Sequence, residues 1–298
     1  MKKTVFMLLV LLPGLCFPAW VDRNDPGDYT NIIDIGLGMW HKDIYVYQGQ
    51  TNTLYFQRSN GGLVQGRIRI NNGDWSDWVS DYNTFEFNTA GNFTNPGEYT
   101  LELDFFMEDG NRYTPTFTVH CVPARYEFYY DDNGNFLSHW KGGDNATDRP
   151  ILIVEGFDPT NENSPAKYFD AASNFMSELL SRDTDIFILD FDEGGADMTT
   201  NAQIVTSAIN YIESIRSGNQ QIVLCGVSMG GVIARYAAVA AEQDGQPFDI
   251  SHFLSIDSPQ RYALLDANFQ DYVNGHDGGN PNPSLNSPAA KQLLEYNT

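Results

Sequence analysis

Ser228 lies between two glycines in QIVLCGVSMGGVIARYA (residues 221–237), so that Gly226-Val227-Ser228-Met229-Gly230 fits the pattern G-x-S-x-G. The run before it is apolar and the run after it has Ala-rich amphipathic spacing, which puts the serine between a predicted strand and a predicted helix. A turn this tight drives the serine backbone into a strained region, and glycines two positions either side remove side chains that would collide with strand and helix. The hydroxyl is then held out at a helix N-terminus, where free N–H groups and the helix dipole stabilise an oxyanion. The chemistry implied is nucleophilic attack on an acyl carbon. The alternative for the same letters is a glycine-rich turn without chemistry.

Other reactive side chains point to less. DFDEGGADM carries Asp190, Asp192, Glu193 and Asp197 at a predicted strand end, but its spacing is not that of a calcium loop, and solvation plus capping of a helix near residue 200 accounts for it. No Cys/His group has zinc spacing and no phosphate-cradling glycine loop with a lysine is present, so neither a metal nor a nucleotide cofactor is expected. Cys225, in the apolar run before Ser228, and Cys121, at the end of an alternating strand, read as small buried hydrophobes. Seventeen basic against 39 acidic residues give a net charge of −22, a field that repels polyphosphate and disfavours nucleic acid and anionic membrane.

The elements that must position Ser228 occupy the second half of the chain. ILIVE (151–155), DIFILDF (185–191), QIVLCG (221–226) and ISHFLSID (250–257) are continuous apolar runs suited to strands buried on both faces. Helical patterns over 166–182, 201–216 and 229–242 alternate with them, and a short one follows at SPAAKQLLEY. Such alternation builds a parallel sheet with right-handed crossovers, with functional residues at the C-terminal strand ends. Before it, from about Tyr45 to Val122, short period-two runs separated by SNGG, NNGD and NPGE describe an antiparallel β-sandwich. Trp75, Trp78 and the tyrosines there are read as core or rim residues, with a glycan-binding face as the alternative. RYEFYYDDNGNFLSHW (125–140) reads as a hairpin turning at Asn133-Gly134, ending the first domain or starting the second.

At the N-terminus, MKKTVFMLLVLLPGLCFPA has two lysines, an apolar core of about ten residues and small residues, the layout of a cleavable secretory signal over 1–19. The core is short of the roughly 20 residues a spanning helix needs, so no stable membrane insertion is expected after cleavage. Loss of Lys2 and Lys3 would take the net charge from −22 to −24. Cys16 follows Leu15, where lipidation wants a small residue. The expected organisation is a signal over 1–19, an Ig-like sandwich over 20–123 and an α/β domain over 124–298, secreted or held in the cell envelope.

The run Gly226–Arg235, with the form G-x-S-M-G-G-x-x-A-R, resembles the α/β-hydrolase superfamily in its lipase, esterase and inositol-deacylase-like branch, over about residues 150–298. RPILIVEGFDP is similar to the strand and loop that in these enzymes carry an oxyanion N–H just after a His-Gly pair, here Glu155-Gly156. By that resemblance the backbone N–H groups of Phe157 and Met229 form the oxyanion hole. FLSIDSPQRYA resembles the strand ending in T-P-H-x-G in lipases, altered at the His and the Gly.

The family orders its triad as Ser, acid, His. Asp257 matches the acid of some lipases, or is a turn or cap residue before Pro259. Of the histidines after Ser228, His252 lies mid-strand, where a core or edge role is expected, and His276 lies in the polar stretch YVNGHDGGNPNP. The strands that bear the usual acid and histidine are not found, so the chain is expected to be a fragment whose missing catalytic members lie beyond Thr298. The resemblance implies a serine hydrolase acting on a small-molecule or lipid ester, without a cofactor. The alternatives are a thioesterase or peptidase with the same nucleophile, and an inactive hydrolase fold whose sandwich recognises a surface or glycan partner.

Overall fold

The computed structural model describes residues 19–25, 28–34, 43–50, 52–58, 61–80, 84–130, 135–159, 161, 163–261, 263–265 and 287–296. The leader assigned to 1–19 falls outside these up to residue 18, as do Asn133, Gly134 and His276. The described residues fall into two compact units, one within 19–125 and 163–172, the other within 126–161 and 173–296.

The first unit is a sandwich. One sheet has the order β1 (Ala19–Asp25), β2 (Asp28–Asp34), β4 (Asn52–Gln57), β6 (Thr84–Asn88). The other has the order β3 (Asp43–Tyr47), β9 (Thr116–Val122), β7 (Gly97–Met107), β5 (Leu63–Ile70), with β8 (Arg112–Tyr113) beside β7. Alternation works as expected: β4 buries Leu54 and Phe56, β6 buries Phe85 and Phe87, and these meet Leu101, Leu103, Phe105 and Phe117 of the other sheet in one core. Two pairings depart from a purely antiparallel plan, since β2 runs parallel to β4 and β3 parallel to β9. β1 and β2 went unread in the sequence because AWVDRND and DYTNIID intersperse Asp and Asn through the apolar positions.

Trp75 is half-buried and Trp78 exposed, so both lie outside the core, at its rim. The Arg67 guanidinium lies 4.7 Å from the Trp75 ring centre and 4.4 Å from that of Trp78, and Arg69 lies 4.7 Å from Trp75. Arg69 is held at 2.8 Å by Glu102, and Arg67 and Arg112 converge on Asp104, which is fully buried. The result is a stack of indoles and guanidiniums on the sheet, in which three arginines share two carboxylates.

The second unit is a mixed, mostly parallel sheet of order β10 (Glu127–Tyr130), β11 (Phe136–Trp140), β13 (Asp185–Asp190), β12 (Pro150–Val154), β14 (Ile222–Val227), β15 (Ile250–Ile256). β12, β13, β14 and β15 are mutually parallel where they pair, whereas β11 joins β13 antiparallel, so the hairpin belongs to this sheet. The chain thus pairs a mixed, mostly parallel sheet flanked by helices with a preceding unit of two sheets that share one core. Every residue of β12 and β13 is buried, as continuous apolar runs require. Helices α3 (Met198–Ile215) and α4 (Met229–Gln243) pack on the sheet through Val205, Ile209, Ile212, Ile233, Ala234 and Ala237. Two short strands, β16 (Ala263–Leu265) and β17 (Leu294–Tyr296), pair in parallel, and α5 (Pro288–Leu293) adds Ala289, Ala290 and Leu293 to the core.

The structure departs from the sequence expectation at one helix and one strand. The helix predicted over 166–182 is two, α1 (Pro165–Ala171) and α2 (Ser173–Ser181), broken where Ala172 takes φ −128°, and α1 belongs to the sandwich unit. β15 is not buried on both faces: it pairs only with β14 among the described residues, and Phe253, Leu254 and Ile256 are exposed.

Candidate active site

Ser228 occupies the junction between β14 and α4 as the N-cap residue, with φ 51° and ψ −124°. Among the described residues seven non-glycine positions have positive φ, and the other six are Asn or Asp, which tolerate that region. A serine there is held by its surroundings rather than by its own preference. Its N–H donates to Ile256 O at 2.8 Å, and its carbonyl accepts from Gly231 N–H at 3.1 Å. Its hydroxyl makes no capping bond to the helix, and the residue is 9% exposed.

The glycines of the motif are required by contact distances. A Cβ on Gly226 would lie 2.3 Å from Gly231 Cα, and one on Gly230 would lie 2.0 Å from Glu155 O. Gly231, outside the five-residue pattern, is equally constrained: its Cβ would lie 2.1 Å from Ser258 Oγ. Strand β14, the end of β12 and the turn after β15 therefore close on the elbow from three sides.

Met229 is fully buried and opens α4, so its N–H belongs to the helix end that lacks intrahelical acceptors. Phe157 is 8% exposed in the loop after β12. Glu155, where the resemblance has histidine, is fully buried, and its carboxylate accepts from Phe191 N–H while its own N–H donates to Leu189 O at 3.2 Å. The glutamate thus ties the loop that bears Phe157 to the end of β13.

Asp257 directly follows Ile256, the residue whose carbonyl holds Ser228 N–H, so it stands at the same sheet end as the serine. It is exposed and has φ 47°. His252 pairs with Val223 while Ile256 pairs with Val227, four residues further on, which separates it from the elbow by about 13 Å of strand. The structure does not bring His252 to Ser228. His139 is buried against Phe187, with Nε2 3.6 Å from Asp185 at the start of β13, the end of the sheet opposite the elbow. His276 lies outside the described residues.

The remaining groups fall into structural roles. Asp197 caps α3, accepting from Thr199 N–H at 2.8 Å, as the reading of DFDEGGADM expected. Among the described residues no three His, Cys, Asp or Glu side chains are grouped to hold a metal ion. Cys225 and Cys121 are buried, and burial pushes each thiol up to about 11, away from the thiolate that reacts. Sequence reasoning missed Ser258, whose signal was the third glycine, Gly231.

Residues 160–276 match the family described as PGAP1-like alpha/beta domain, in agreement with the resemblance of this half of the chain to the inositol-deacylase-like branch of the α/β hydrolases. No curated protein matches. Solved structures similar to the chain include a fungal esterase from Rhizomucor miehei, at 18% identity over 45% of this chain and 43% of the other, with a TM-score of 0.36. Est1E from Butyrivibrio proteoclasticus is 15% identical over 47% of this chain and 51% of its own, at TM-score 0.33. Butyrate-bound Est2, an esterase from Thermogutta terrifontis, is 17% identical over 55% and 66%, at TM-score 0.34. The chain therefore spans between 43% and 66% of the lengths of these three structures.

Proposed function

We propose that the protein is an exported serine hydrolase that cleaves carboxylic esters through an acyl-enzyme on Ser228. The observation that carries the reading is the backbone of Ser228 at φ 51° and ψ −124°, a strained setting for a serine at a strand–helix corner. In the reaction, Ser228 Oγ attacks the ester carbonyl while its proton passes to an imidazole, for which His276 is the candidate in this chain, with Asp257 orienting the ring. Negative charge developing on the carbonyl oxygen is met by the N–H groups of Met229 and Phe157, and by the N-terminal end of α4. The alcohol leaves with the proton, and water, giving a proton to the imidazole, then attacks the acyl group; the carboxylic acid leaves as that proton returns to Ser228 Oγ. The N-terminal layout of lysines, apolar core and small residues supports export, and the net charge of −22 suits a soluble acidic protein.

One observation favours a second reading. Among the described residues of this unit, the two histidines lie mid-strand or at the far end of the sheet, which fits a hydrolase fold that binds without catalysis. A panel of short and long p-nitrophenyl esters separates the two. Hydrolysis by the wild-type chain that is lost in Ser228→Ala supports the enzyme, and equal rates from both remove it.

A further inference from the structure

We propose that Ser258 is a positioning residue that holds the strained backbone of Ser228. Its hydroxyl lies 3.4 Å from Gly226 O and 3.3 Å from Ile256 O, and Ile256 O is the acceptor of Ser228 N–H. Both distances are long for O–H···O, consistent with one proton shared between two carbonyls. The hydroxyl thus links the strand that leads into the elbow with the carbonyl from which Ser228 hangs. Gly231 is what admits it, because any Cβ there would occupy the place of Ser258 Oγ. Pro259, next in sequence and buried, restricts Ser258 to extended backbone. A second tether fixes the same turn from α4: Arg235 donates to Gln260 Oε1 at 3.3 Å, and Gln260 Nε2 donates to Ser255 Oγ at 2.8 Å. Asp257, bent to φ 47° between Ile256 and Ser258, is placed by the same device. The third glycine and Ser258 are therefore one unit, in which the space left by one residue is filled by the other.

The inference rests on the nucleophile reading only for its kinetic part, so its test has two readouts. Amide hydrogen exchange at Ser228 is followed in the wild-type chain, Ser258→Ala, Gly231→Ala and the double variant Gly231→Ala/Ser258→Gly. In Ser258→Ala, loss of a shared hydrogen bond should speed exchange at Ser228 about fivefold while amides of β12 and β13 are unchanged. Gly231→Ala should be strongly destabilised, and the double variant should recover most of the lost Tm because both contacts with Ser258 are gone and only a 3.1 Å approach to Gly226 O remains. With esters, Ser258→Ala should lower kcat about tenfold at a KM within about twofold of wild type, the pattern of a misplaced nucleophile rather than a weakened pocket. Unchanged exchange at Ser228 in Ser258→Ala, or a double variant no more stable than Gly231→Ala, would overturn the assignment. If the wild-type chain hydrolyses no ester, the nucleophile reading fails, while exchange and stability still decide the role of Ser258.

Discussion

The two units of this chain differ in how they accommodate backbone that ordinary residues avoid. In the sandwich, the turn after β5 places Asn71 at φ 49° and Asn72 at φ 57°, and the residue type suits the conformation. In the unit with the mostly parallel sheet, Ser228 at φ 51° has no such local preference, and three neighbouring segments hold it there. The first arrangement is settled by the turn itself, the second only when distant parts of the sheet have come together. Strain that local chemistry does not explain is the feature on which the proposed role of Ser228 rests.

Buried carboxylates repeat the contrast. Asp104 of the sandwich is held below the usual carboxylate range by its bond from Arg112, against the opposing effect of burial and with help from Arg67. For Asp185 of the mostly parallel sheet burial is the largest influence and acts upward, yet the bond with His139 and the backbone N–H groups of Arg149, Gly142 and Asp148 bring it below that range. One charge is stabilised by full opposite charges, the other chiefly by dipoles at the end of a sheet.

The largest expected effect is on activity. Ser228→Ala should lower ester hydrolysis by at least about a thousandfold with the fold retained, read as kcat/KM beside a thermal melt. Next comes crowding at the elbow set against an open turn in the sandwich. Gly230→Ala, whose Cβ would meet Glu155 O at 2.0 Å, should cost more than about 3 kcal/mol in denaturant unfolding. Gly110→Ala, at φ 83° with no atom within 4 Å of its Cβ, should cost about 1 kcal/mol. Equal costs would break the comparison.

The carboxylates give a pH prediction. Both folded-state values are depressed, so both stabilise the fold fully above the unfolded value of about 4 and lose that contribution as pH falls through the folded value. Asp185→Ala should cost about 3 kcal/mol and Asp104→Ala about 2 kcal/mol, the lesser because Arg67 and Arg112 remain 24% and 51% exposed and can turn to water. Each variant should flatten the acid limb of stability measured from pH 6 to pH 2. Added salt should weaken the Asp104 contribution more than that of Asp185. The smallest effect returns to the strained corners: Ser228→Gly should raise stability by about 1 kcal/mol, whereas Asn72→Gly should change it by only a few tenths.

Much of this fold was legible because its signals are local. Period-two burial in Leu54 and Phe56, the apolar runs of β12 and β13, and the helical spacing of Val205, Ile209 and Ile212 each announce one element and one buried face. The motif around Ser228 was legible for the same reason, since glycine, serine and glycine fall within five residues. What went unread depends on residues far apart in sequence. Ser258 matters through a space at Gly231, the Arg67 stack is assembled from β5 and a later loop, and the exposure of β15 reflects what packs on it. The break at Ala172 sends one helical turn pattern into two units, which no periodicity in 166–182 encodes.

The central claim, that Ser228 presents an acylable hydroxyl, is met most directly by treating the full chain with a fluorophosphonate and mapping the adduct by peptide mass spectrometry. A single adduct on the peptide carrying Ser228, absent from Ser228→Ala, is the predicted result. An unmodified chain, or an adduct that persists in Ser228→Ala, would contradict it.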